Sequence, residues 1–102
     1  MRIRRPETRK DELLDTALSL ARLVGYANVQ RADLAERCAC STGTVSKYFG
    51  TMKQLKRAII SAAIAREDLT VIAQGIVARE AKALAARPEL KRRAMEAAIC
   101  SQ

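Results

Sequence analysis

Leu34-Ala35-Glu36-Arg37-Cys38-Ala39-Cys40-Ser41-Thr42-Gly43-Thr44-Val45-Ser46-Lys47-Tyr48-Phe49, followed after a turn by Lys53-Gln54-Leu55, is the stretch that decides the fold. Leu34 and Ala35 give a short helix its inward side, with Asp33 and Glu36 turned to water. Ser41 is a strong N-cap. Val45 and Phe49 stand four apart, so a second short helix over about 42–48 points that stripe inward. Its other side carries Thr42, Gly43, Thr44, Ser46, Lys47 and Tyr48, a surface of hydroxyls, one amine and one phenol. Two short helices around a tight connection make a helix-turn-helix. No Asp or Glu occurs from Arg37 to Arg66, whereas Arg37, Lys47, Lys53, Lys56, Arg57 and Arg66 are cationic. A face of one sign centred on such a motif suits a polyanion.

Outward from the motif, the pattern stays helical. Leu13, Leu14, Ala17, Leu18, Ala21 and Val24 recur at helical spacing, which predicts a first helix over about 9–24. Thr8 and Asp11 resemble a capping box, and Gly25 suits a C-cap stop. A helix over about 31–38 precedes Ser41. Thr51 with Gln54 forms a further capping box and opens a fourth helix, with Leu55, Ile59, Ala62 and Ala63 inside. Leu69, Ile72, Ala73, Ile76 and Leu84 predict a fifth helix over about 68–86. Pro88 suits the first turn of a last helix through about 99, carrying Leu90, Ala94, Ala97, Ala98 and Ile99. The expected division is a basic flexible arm over 1–8, a DNA-binding unit over 9–60 and a short helical dimerisation region over 61–102.

Composition bounds the rest. The chain has 102 residues, a formal net charge of +8, 4 glycines, 2 prolines and only three aromatic residues. That is a helical composition with a thin core of Leu, Ile, Val and Ala, and a small core gains from a second subunit. No apolar run approaches the ~20 residues that span a bilayer. The basic start Met1-Arg2-Ile3-Arg4-Arg5 lacks the apolar stretch of a signal peptide, so a cytoplasmic setting is expected. Three cysteines and no histidine fit neither a disulfide framework nor a zinc site. Cys38 and Cys40 then serve as small residues at the turn. No acid–base pair, nucleophile elbow or phosphate loop is present, so no enzyme, cofactor or metal is expected.

Residues 9–60 resemble the N-terminal DNA-binding domain of the tetracycline-repressor (TetR) family. The resemblance rests on an ordered set: Gly25-Tyr26 closing a helix, Leu34-Ala35, Ser41-Thr42-Gly43-Thr44-Val45, Tyr48-Phe49 and Lys53-Gln54-Leu55. It implies an all-α fold: a three-helix helix-turn-helix core plus two or three further helices for dimerisation. It also implies that Arg31, Thr42, Gly43, Thr44, Lys47 and Tyr48 face DNA and that Lys53 faces phosphate. The chain departs from the family pattern at Ser46, where Tyr is usual and touches the backbone, and at Met52, where Lys is frequent. It departs again around Gln30 and Arg31, where Thr is usual. The family's ligand-binding region is longer than this whole chain, so no small-molecule inducer is expected.

The resulting expectation is a sequence-specific regulator of double-stranded DNA, a repressor bound as a homodimer to a palindromic operator. The second short helix would enter the major groove, with Ser46 on its exposed side. Arg4 and Arg5 would reach a minor groove. Rival expectations are an activator or a DNA-architectural, recombination or replication accessory factor using the same motif, and a basic module that binds an acidic protein.

Overall fold

The computed structural model describes residues 6–100, with side chains from residue 9. Among the described residues there are seven α-helices and a 3-10 turn, and no strand. In order they are α1 (Pro6–Val24), the 3-10 turn Tyr26–Asn28, α2 (Arg31–Arg37), α3 (Thr42–Phe49), α4 (Met52–Ala65), α5 (Leu69–Val77), α6 (Ala81–Leu84) and α7 (Pro88–Cys100). None of these helices is long and apolar enough to cross a membrane.

The caps explain the boundaries. Pro6 is the first residue of α1, where its missing N–H costs nothing. The helix therefore starts three residues before the expected position, and Thr8 lies inside it rather than capping it. Ser41 accepts from the Thr44 amide at 3.1 Å and starts α3. Thr51 and Gln54 exchange both bonds of a capping box, at 3.2 and 2.9 Å, and start α4. Asp68 accepts from the Val71 amide and starts α5.

The expected fifth helix is in fact two. The chain breaks at Arg79, which takes a left-handed conformation with φ 60°. The Arg79 amide then bonds Ile76 O at 3.0 Å and the Glu80 amide bonds Gly75 O at 2.9 Å. This paired closure is a Schellman motif, and it satisfies carbonyls the helix end leaves open. The same closure ends α2 at Ala39 (φ 53°) and α4 at Glu67 (φ 54°).

One core runs through the whole described chain. Leu13, Ala17, Leu34, Val45, Leu55 and Ile59 are fully buried around the motif, and Ile60, Ile72 and Leu90 carry the core into α5 and α7. Each of the Leu, Ile and Val side chains among them contributes about 1.5–3 kcal/mol on burial. The apolar stripe of the last helices is thus largely used within the chain, leaving Val77, Leu84, Met95 and Ile99 outside. α5 comes unusually near its neighbours because Gly75 lacks a side chain. A Cβ there would stand 2.7 Å from Ile60 Cδ1 and 2.9 Å from Ala83 Cβ.

Polar ties join α1 to the later helices. Arg22 pairs with Asp68, and Asp15 pairs with Arg66. Tyr26 donates its hydroxyl to Glu80 at 2.7 Å, and its amide bonds Gln74 Oε1 at 2.9 Å. Burial, the hydrogen bond to Glu80 and the charge on that carboxylate push the Tyr26 phenol up to about 12.

Candidate nucleic-acid interface

α3 is placed by its own stripe. Val45 and Phe49 are buried, which fixes the rotation of the helix about its axis. At about 100° per residue, Lys47 then stands opposite that stripe, with Gly43 and Thr44 beside it. Gly43 and Lys47 are exposed accordingly, Thr42 is exposed in the first turn, and Thr44, Ser46 and Tyr48 are half-buried. Tyr48 packs partly on the core. The Thr44 hydroxyl lies 3.0 Å from Ser41 Oγ, so it is partly engaged by the cap.

Next to this helix, α4 opens with Lys53, which is exposed, and Arg57 follows one turn on, also exposed. Lys47, Lys53 and Arg57 take part in no ion pair among the described residues. Their charge is therefore uncompensated at short range. Arg66, which extends the acid-free stretch in sequence, is different: it turns to α1 and pairs with Asp15.

Three basic residues brace the motif. Arg9 donates to Cys38 O at 2.9 Å, and so caps the C-terminal end of α2 at the turn. Lys10 Nζ sits 5.9 Å from the centre of the Phe49 ring, at the end of α3. Arg31 donates to Gly50 O at 3.2 Å, across from α2 to the α3–α4 turn. The sequence places Arg9 and Lys10 at the start of the first helix, beyond the expected arm, and gives no sign that they brace the motif. What it does show is five cations among the first ten residues, but spacing along one helix does not tell which of them reach across to α2 and α3. Arg4 and Arg5 lie outside the described residues. Cys38 and Cys40 are half-buried free thiols flanking Ala39.

This arrangement has a counterpart among known families. Residues 13–59 match the family of bacterial regulatory proteins, tetR family. The segment is a TetR-family helix-turn-helix domain. The match runs from the buried face of α1 through α4 to Ile59, and so contains α2, the turn, α3 and the basic start of α4. The TetR-type domain is that of a DNA-binding transcription regulator. α5, α6 and α7 lie beyond the match. Neither the curated proteins nor the solved structures yield a match to the chain.

Proposed function

We propose that this protein is a sequence-specific regulator that represses by occupying a palindromic operator as a homodimer. The observation that carries this reading is the outer face of α3. Gly43 and Lys47 are exposed there, opposite the buried Val45 and Phe49, and Thr42 is exposed in the first turn of the helix. Such a helix inserts into a major groove with Lys47 reaching a guanine edge or phosphate. Gly43 lets the backbone approach closely, and Thr42 and Thr44 supply hydroxyls. Ser46 and Tyr48 flank the same surface. Lys53 meets phosphate at the start of α4, where the helix dipole adds to its charge.

One reading helix per chain gives a small contact, and a two-fold pair doubles it. A groove of about 440 Å³ between the 3-10 turn, α5 and α7 supports such a pair. It is lined by Tyr26, Ala73, Val77 and Ala98 and carries no charged side chain, in a chain of net charge +8. Val77 at its rim is 75% exposed. We assign this groove to a second subunit rather than to a small-molecule inducer, because it lies open beside that rim. Repression then follows from occupancy, set by the protein's own concentration or by a protein partner.

The test is a titration of duplex DNA with the intact chain, Lys47→Ala and Lys53→Ala. Each substitution is expected to weaken binding. The Lys53 change should also flatten the dependence of log K on log salt by about 0.9, as the loss of one phosphate contact does. Equal affinity and equal slope in all three proteins would sink the proposal.

A further inference from the structure

We infer that Arg31 acts on the recognition helix through Gly50 and not through a DNA phosphate. The inference rests on the proposed reading of α3 as the DNA-entering helix. An arginine grips an oxyanion best with two parallel N–H bonds from one edge of its guanidinium. At Arg31 the Nε–Nη2 edge is closed. Nη2 donates to Gly50 O at 3.2 Å, and Nε is shut off from solvent with no acceptor among the described residues.

The acceptor is well placed to matter. Gly50 ends α3 with φ 77° and ψ −130°, a conformation open to glycine alone. The angle ψ sets where its carbonyl points, and Arg31 holds that carbonyl from α2. The rest of the turn is closed locally: the Gly50 amide bonds Ser46 O at 2.7 Å, and Thr51 and Gln54 cap each other. A Cβ on Gly50 would fall 2.0 Å from Gln54 Oε1, inside that cap. The Arg31 bond is therefore the polar tie that relates α2 to both α3, carrying Lys47, and α4, carrying Lys53. Arg31 is a positioning residue. It serves specific recognition, which needs α3 at one angle, more than general attraction to DNA.

Arg31→Met keeps most of the aliphatic stem and removes both charge and bond. It is compared with the intact protein and with Lys53→Met, at a temperature where circular dichroism shows all three folded. Two duplexes are used: one recovered from a random pool by binding, and a scrambled version of it. Amide hydrogen exchange is followed over residues 46–54. Arg31→Met is expected to bind the recovered duplex roughly fivefold to tenfold more weakly. Its affinity for the scrambled duplex and its salt slope stay as in the intact protein, and exchange over 46–54 quickens. Lys53→Met instead weakens both duplexes and lowers the slope by about 0.9. If Arg31→Met behaves like Lys53→Met, Arg31 is a phosphate contact and the inference falls. It falls equally if exchange and affinity are unchanged. Should the intact protein bind neither duplex, the proposed function fails, while unaltered exchange over 46–54 or its acceleration still decides the Arg31–Gly50 tie.

Discussion

Arg79, Ala39 and Glu67 each close a helix in a left-handed conformation that glycine adopts without strain. A non-glycine residue there costs about 1–2 kcal/mol. Glycine would recover part of that, less the extra entropy it loses on folding. Arg79 is exposed and takes part in no ion pair among the described residues. Arg79→Gly is therefore expected to stabilise the fold by roughly 0.5–1 kcal/mol, seen as a higher midpoint in urea at unchanged slope. Tyr26 gives a different kind of test. Its phenol titrates near 12 in the folded protein, above the ordinary value of 10.0. A raised folded value means the stabilisation is complete below about pH 10 and is lost as the pH rises toward 12. Against Tyr26→Phe, the intact protein should lose roughly 2–3 kcal/mol of relative stability across that window. Parallel curves for the two proteins through pH 10–12 would show that burial and Glu80 do not hold the proton.

At the scale of elements, Asp68 links two jobs. Its one oxygen caps α5 through the Val71 amide at 3.3 Å, and the other pairs with Arg22 on α1. Asp68→Ala removes both and should cost about 2 kcal/mol, of which the cap supplies about 1. Asp68→Asn keeps the cap and should fall between, by thermal unfolding. These elements also show what the residues announce in advance. Ser41, Thr51 with Gln54, and Pro88 start their helices where the sequence says, because each cap depends on neighbours three residues away or fewer. The break between α5 and α6 was hidden, because its left-handed residue is Arg79 and not glycine. Gly75 lies within α5. Its use, contact with Ile60 and Ala83, is visible only once the helices are packed. On the interface, Val45 and Phe49 told which way α3 faces, and so placed Lys47. They could not tell that Arg31 and Arg9 hold carbonyls 19 and 29 residues away. Two arginines near a basic motif look alike in sequence whether they meet backbone or phosphate.

For the whole molecule, the shared core ties α5 and α7 to the TetR-type domain, so a partner settling on that end would be coupled rigidly to α3. The uncharged groove, with Val77 at its rim 75% exposed, is where the proposed second subunit sits. Ile99, 70% exposed, follows the groove residue Ala98 on α7. Val77→Glu and Ile99→Glu place charges on or beside this surface without touching the buried core. Each is expected to shift sedimentation equilibrium from dimer toward monomer, and to weaken operator binding more than random-duplex binding. Sedimentation identical to the intact protein for both variants would move the dimer contact elsewhere.

The central claim is that the α3 face reads sequence. It is tested most directly by selecting bound duplexes from a random pool, then measuring binding to the winner over a salt series. The expected result is a palindromic consensus bound 10³-fold or more above random DNA, on the order seen for specific regulators, with affinity falling steeply as salt rises. A pool that never converges, with equal affinity for all duplexes, would contradict it.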